Sequence, residues 1–243
     1  MPVPALSVRA AVLSLTLGSG TYAAVACARK DADHGDSVRA AKPAAAVAGA
    51  AAAPGTAGLT DSISARADRA RIQGADGAKV WMVVISDFQC PYCRIWHDST
   101  YPALVREYVQ TGKVKMAYMN FPLPMHKNAW PAAEAVMCAG VQGKFWEMQD
   151  RVFSTQARWA SLENAAPVFD SLAASAGVDA KRMRACVDAH QTQRLIQADY
   201  DRSAAAGVNS TPTFIIGDQT VEGAQPIEAF RQVLDSALAK TAK

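Results

Sequence analysis

Four stretches of the chain carry the apolar pattern of strands, and most of the remainder repeats its apolar positions every three to four residues. Lys79–Ser86 (KVWMVVIS) is a continuous apolar, β-branched run, the pattern of a strand buried on both faces. Lys113–Met119 (KVKMAYM) alternates polar and apolar positions after the turn signal Thr111-Gly112 and predicts a second strand. Thr211–Gly217 (TPTFIIG) predicts a third, and the turn GDQ leads into a short fourth, TVEG. Between Lys127 and Gly207 the spacing is helical in NAWPAAEAVMCAGVQ, KFWEMQDRVFS, SLENAAPVFDSLAASAG, DAKRMRACVDAH and QRLIQADYDRSAAAG. Turn residues at Gly143, Thr155–Ala160, Gly177 and Gly207 divide this block into four or five helices. Pro226 opens a last helix with Ile227, Phe230, Val233, Leu234 and Leu238 on one face. Thr60 is a good N-cap for a charged surface helix over DSISARADRARI. The order is therefore strand, helix, strand, helical block, strand, strand, helix.

The N-terminal segment has a different pattern. Arg9 precedes the apolar stretch Ala10–Leu17, and small residues lead to an A-x-A site at Ala24 and Ala26. This is the layout of a secretory signal peptide over residues 1–26. Cys27 directly after it also resembles a bacterial lipoprotein box, with Ala24 in place of the usual Leu, so Cys27 is a candidate for lipidation and a membrane tether. The other reading of Cys27 is a bystander in a flexible tail. Residues 27–58 are Ala-rich with Gly and Pro, offer nothing large to bury, and read as a disordered linker. The folded part is expected over residues 59–243, with a helical insertion at about 127–207. Export would place the protein in the periplasm or cell envelope, where disulfides persist.

The chain has 243 residues, half of them hydrophobic, enough for a sizeable core. Its net charge of +3 is not gathered in one block, and no basic stripe with interleaved aromatics suggests nucleic-acid binding. The five cysteines say more. Cys90 and Cys93 form Cys-Pro-Tyr-Cys directly after the first strand, where CPYCRIWHDSTYPALVREYV continues as a helix with Cys93, Trp96, Thr100, Leu104 and Tyr108 on one face. Pro91 falls in the first helical turn, where its missing N–H costs nothing. Cys90 then lies at a helix N-terminus, where free N–H groups and the helix dipole stabilise a thiolate, with Cys90 outward and Cys93 inward. A metal site would need a matching ligand pair, and Cys138 and Cys186 are single and far apart. A structural staple around so short a loop would stabilise little. Redox chemistry is the favoured reading of the pair.

Taken together, VVISDFQCPYCRIWH, FPLPMHKNAWPAAEAVMCA, GKFWEMQDRVF, GVNSTPTFIIG and VEGAQPIEAF resemble the DsbA-like thioredoxin-fold family, in its branch with Cys-Pro-Tyr-Cys and a helical insertion. The resemblance covers about residues 65 to 238. It implies an α/β thioredoxin fold with an inserted all-helical subdomain, and an extracytoplasmic thiol-disulfide oxidoreductase that needs no cofactor. Its catalytic cysteines would be Cys90 and Cys93, supported by Pro91, Tyr92, Thr211 and Pro212. Thr211-Pro212 would be the cis-proline site, with Pro212 over Cys90 and Thr211 bonding an extended substrate; an ordinary trans proline at a strand start is the alternative. Cys138 and Cys186 would form a second, non-catalytic disulfide, or else remain buried thiols. The implied partners are unfolded or partly folded exported proteins and a membrane reoxidising partner of the DsbB or VKOR type. Thioredoxin carries a buried acid six residues before its first Cys; here that position is Val84. Asp87 and Glu134 stand as proton-relay candidates, otherwise a cap and a surface charge, and His97 and His126 read as structural or solvent-facing. The expected reaction oxidises exported proteins. A reductase or isomerase of the same fold, and a chaperone-like client-binding module, are the alternatives.

Overall fold

The computed structural model describes residues 62–241. The expectations for the signal peptide, Cys27, the linker and Thr60 as a helix cap fall on residues 1–61, outside the described residues. The sheet is built around β2 (Val80–Ser86), which pairs in parallel with β3 (Val114–Asn120) and antiparallel with β4 (Thr213–Ile216). β5 (Gln219–Glu222) adds antiparallel to β4 and β1 (Ile72–Gln73) antiparallel to β3, giving the order β1-β3-β2-β4-β5. β2 is central, so its apolar run is covered from Val84 onward, but Trp81 near its start is exposed, against the expectation of burial along the whole strand. β3 shows the alternation that its sequence predicts, with Val114, Met116, Tyr118 and Asn120 buried.

β1 has no counterpart among the expected elements. The helix before it, α1 (Ile63–Ala70), is capped by Ser62 and stops two residues short of the expected end. Arg71 and Ile72 then turn into the sheet, and Tyr118 N donates to Arg71 O at 3.0 Å. Gly74 follows with φ +113, and a Cβ there would meet Val114 O at 2.6 Å, so glycine is what lets the chain leave β1 this close to β3.

The helix after the cysteine pair keeps its expected buried face but is not continuous. α2 (Pro91–Ser99) ends at Thr100, α3 (Tyr101–Leu104) is one turn, and Val105–Val109 winds as a π-helix. Pro102 lacks the N–H that would have bonded to Asp98, and Thr100 instead sends its hydroxyl to Gln225 O at 3.0 Å. Trp96 from α2 packs on Phe214 of β4 (4.7 Å between ring centroids) and Phe230 of α10 (Ile227–Thr241).

The block between β3 and β4 holds α4 (Ala129–Gly140), α5 (Phe145–Ser154), α6 (Gln156–Trp159), α7 (Ala166–Ser175), α8 (Ala180–Asp188) and α9 (Gln193–Ala205). The sixth helix is α6, a single turn inside the stretch read as a plain turn. α4 is buried over most of its length because its alanines let α1, α5, α7, α8 and α9 approach it. Phe88, just after β2, stacks on Tyr118 of β3 (5.1 Å) and meets Phe153 of α5 (5.0 Å), which joins sheet and insertion through one aromatic cluster. The sulfurs of Cys138 on α4 and Cys186 on α8 are bonded to each other, with their Cα atoms 5.8 Å apart. Trp96, Phe121, Phe145 and Trp159 are core residues, and Trp130 and Trp146 are half-buried.

A buried ion pair ties α9 to the sheet. Asp199, fully buried, accepts from Arg71, from the backbone and side-chain amides of Asn120 (both 3.1 Å) and from Arg202 (2.8 Å). Arg71 is 5% exposed and also bonds Asp68. Removing Asp199 leaves the buried Arg71 with only the half-exposed Asp68 as a partner, and breaking a buried pair in this way costs about 3–5 kcal/mol. D199A is expected to lose about that much unfolding free energy in urea titration. A loss under about 1 kcal/mol would show that the pair contributes little to holding α9 on the sheet.

Candidate active site

β2 delivers the chain to the site. Its last residue, Ser86, accepts from Phe121 N at 2.8 Å, and Asp87–Gln89 carry the chain to Cys90. Cys90 is the N-cap of α2, in extended conformation, and Arg94 N donates to its carbonyl at 3.2 Å. Pro91 occupies the first helical position. The loop is clamped from the insertion. Gln156 of α6 donates to Phe88 O (2.8 Å) and Cys90 O (3.0 Å), and Gln89 donates to Ala160 O (2.7 Å) while accepting from Asn128 N (2.6 Å). These glutamines escaped the sequence reading because polar residues so far from their partners, 66 and 68 positions for Gln156 and 71 and 39 for Gln89, leave no periodic signal.

From the opposite side comes the segment before β4. The Thr211–Pro212 peptide bond is cis, and Pro212 O accepts from Gly223 N at 2.8 Å. The Cys90 thiol faces the Thr211 carbonyl at 3.4 Å. Cys90 and Cys93 are both free thiols, 3% and 0% exposed, so Cys90 is less outward than expected. Tyr92, between them, is 62% exposed, and Ile95 and Met125 also present apolar surface to solvent.

The two thiols differ sharply in acidity. Cys90 is pulled down from an ordinary thiol's value to about 6, first by the hydrogen bond that Cys93 donates to it. Burial opposes this, and Thr211 and the N–H groups of Cys93 and Tyr92 add to the lowering. The buried Thr211 hydroxyl has no hydrogen-bond partner among the described residues and so is free to donate to a Cys90 thiolate. Cys93 is pushed well up, first by burial and then by the bond to Cys90 and its charge, with the Asp87 N–H and Ser86 partly compensating. One thiol is thus an anion near neutrality and its neighbour holds the proton.

The relay candidates part company here. Asp87 is buried, and its carboxylate accepts from Gln89 N (2.7 Å), Leu123 N (2.9 Å) and His126 Nδ1 (2.7 Å). Glu134 is not a surface charge: it is buried on α4 and bonded to His190 at 2.8 Å. Val84 is core. His97 is packed between Tyr101 and Phe153 and bonds Asp98 and Asp150.

A family model for thioredoxin matches residues 66–236. Sodium/proton antiporter NhaA 1 of Salinispora arenicola is 32% identical over 177 residues, which cover 72% of this chain and 26% of that protein. The chain thus spans about a quarter of the length of that relative. The probable disulfide bond formation protein D of Bacillus anthracis is 24% identical over 172 residues, 69% of this chain and 77% of that protein. Among solved structures, alpha-DsbA1 of Wolbachia pipientis superposes with a TM-score of 0.64 at 19% identity, covering 71% of this chain and 92% of that one. Among the described residues no helix is long and apolar enough to cross a membrane.

The acidity of Cys90 gives a direct test. In the reduced protein, alkylation of Cys90 by iodoacetamide is expected to rise with pH through about 6 and then level off, because the thiolate is the reacting form above that value. C93A removes the first cause of the lowering and is expected to move the profile up by about one unit or more. An identical profile in C93A would mean that the Cys93 hydrogen bond does not set the acidity.

Proposed function

The chain belongs to the thioredoxin family, and from that premise we propose that it is a DsbA-like thiol-disulfide oxidoreductase that exchanges disulfides through Cys90 and Cys93. The observation that carries the reading is the pairing of an acidified Cys90 at the N-terminus of α2 with a buried, proton-holding Cys93, opposite the Thr211 carbonyl. In the disulfide form, a substrate thiolate attacks the Cys90 sulfur, a mixed disulfide forms, and Cys93 leaves. Cys93 then takes up a proton, which its raised value favours, and so becomes a poor nucleophile for the reverse attack. A second substrate thiolate attacks the substrate sulfur of the mixed disulfide and expels Cys90, whose low value makes it a good leaving group. The client gains a disulfide, and the enzyme is left as a dithiol.

This asymmetry favours the oxidising direction over a reductase or isomerase, because a stabilised Cys90 thiolate stabilises the reduced enzyme and makes its disulfide the stronger oxidant. Clients would be unfolded or partly folded exported proteins. Thr211 and the exposed side chains of Tyr92, Ile95 and Met125 would meet an extended client segment. The signal-peptide pattern over residues 1–26 supports export to the cell envelope, the lipoprotein-like Cys27 supports a tether there, and a membrane partner of the DsbB or VKOR type would restore the disulfide. Cys138–Cys186 would be a structural disulfide. The antiporter resemblance concerns a quarter of that protein and lends this chain no transport role.

Oxidised protein mixed with a reduced, unfolded client that contains cysteines tests the reading. The wild type is expected to transfer its disulfide, with loss of client thiols, and C90S to fall to the uncatalysed background. Client oxidation that persisted unchanged in C90S would rule out the redox reading and leave a client-binding role.

A further inference from the structure

The segment between β3 and α4 does more than connect them. It meets the active-site loop at three points: Leu123 N on Asp87 Oδ2, His126 Nδ1 on the same oxygen, and Asn128 N on Gln89 Oε1. Asp87 Oδ1 takes Gln89 N, and Asp87 O takes Cys90 N at 3.1 Å. His126 is therefore docked on the residue that shapes the turn into Cys90. Because the Asp87 carboxylate is the acceptor, Nδ1 carries a hydrogen and donates it, and protonation of the ring occurs at Nε2. The His126 side chain is 18% exposed and that of Asp87 is 0%. Loss of the Nε2 proton would leave the Asp87 bond in place and remove only the positive charge.

We propose that His126 is a positioning residue for the redox pair: anchored on Asp87, its imidazolium stabilises the Cys90 thiolate and makes the enzyme's disulfide a stronger oxidant than a neutral ring in its place would. The inference rests on the exchange reaction proposed above. The proton on His126 is favoured first by the Asp87 hydrogen bond, against a smaller cost of burial, then by the Asp87 charge and by the Cys90 thiolate. The charged and titratable groups bearing on this corner are Asp87 from the turn after β2, Cys90 from the start of α2, and Lys127 next in the chain, which is paired with Glu163 of the insertion at 2.5 Å. No hydrogen bond joins His126 to Cys90 among the bonds described, so the coupling is electrostatic.

In the exchange step a client dithiol loses two electrons and two protons, and the two electrons break the Cys90–Cys93 bond. One proton goes to Cys93. The other is released to water when Cys90 remains a thiolate. An imidazolium at His126 lowers the cost of leaving Cys90 in that form. Both charges are required, so the assistance is present while Cys90 is ionised, above about 6, and the ring is protonated; it fades as pH rises through the His126 value and again as Cys90 takes up its proton at lower pH. By reciprocity, His126 must hold its proton more tightly in the dithiol form, with its Cys90 thiolate, than in the disulfide form, which carries no charge there.

The test needs no substitution at its first stage. The His126 ring is titrated by NMR in the full-length protein in both redox forms. The expected result is a midpoint higher in the dithiol form by about half a unit or more. Equal midpoints would overturn the proposal. The second stage compares H126N, which keeps a donor for Asp87 without the charge, with the wild type. Cys90, followed by thiolate absorbance, is expected to titrate at higher pH in H126N. The ratio of wild-type to H126N equilibrium constants with glutathione is expected to grow roughly threefold or more as pH is lowered through the His126 midpoint while Cys90 stays ionised, and to fall back once Cys90 is protonated. A ratio constant with pH, together with an unshifted Cys90, would overturn the role of His126 while leaving the exchange reaction standing. A wild-type pair that does not equilibrate with glutathione at all would overturn both.

Discussion

A single hydrogen bond, from the Cys93 thiol to the Cys90 sulfur, separates two otherwise identical groups into an anion and an acid. It forms because two intervening residues on a helix start bring both sulfurs to one end of α2, and because Cys93 is sealed inside while Cys90 has N–H donors around it. Everything nearby serves that arrangement. β2 is buried at its C-terminal end, so the turn that follows has one place to go. Gln156 holds the carbonyls of Phe88 and Cys90, and the Thr211 carbonyl closes the opposite side.

The helical block supplies the holding groups. α6 is only one turn, yet its Gln156 fastens the active-site loop, and Ala160, just past its end, accepts from Gln89. The block is itself fixed to the sheet by the Phe88, Tyr118 and Phe153 cluster and by the buried Arg71–Asp199 pair. The cost of burying that pair is offset by the convergence of donors from the end of α1, β3 and α9 on one carboxylate, which makes it a registration point between elements. The insertion therefore acts as a scaffold for the turn before Cys90 as well as a cover for the sheet.

Much of this was legible in the chain. The apolar run Val80–Ser86 ending in Cys-Pro marks a buried strand passing into a helix, and the alternation over Val114–Met119 marks the neighbouring strand. Each of the five helical stretches of the insertion contains one helix, α4, α5, α7, α8 or α9, and Ile227–Leu238 lies within α10. What stayed hidden has short range or no period. β1 is two residues, too few to alternate. The break at Thr100 depends on Pro102 and on a tertiary bond to Gln225, while the apolar face continues across it. Asp87 and His126 lie 39 positions apart on two connecting segments, and Arg71 and Asp199 lie 128 apart, so only the fold brings either pair together.

Oxidation of a client requires a strongly stabilised Cys90 thiolate, and the reduction potential of the Cys90–Cys93 pair reads that stabilisation most directly. Equilibration with glutathione at neutral pH is expected to give a potential between about −180 and −120 mV, in the range of protein oxidants. A value near about −270 mV, that of thioredoxin, would contradict it and assign the same site to reduction.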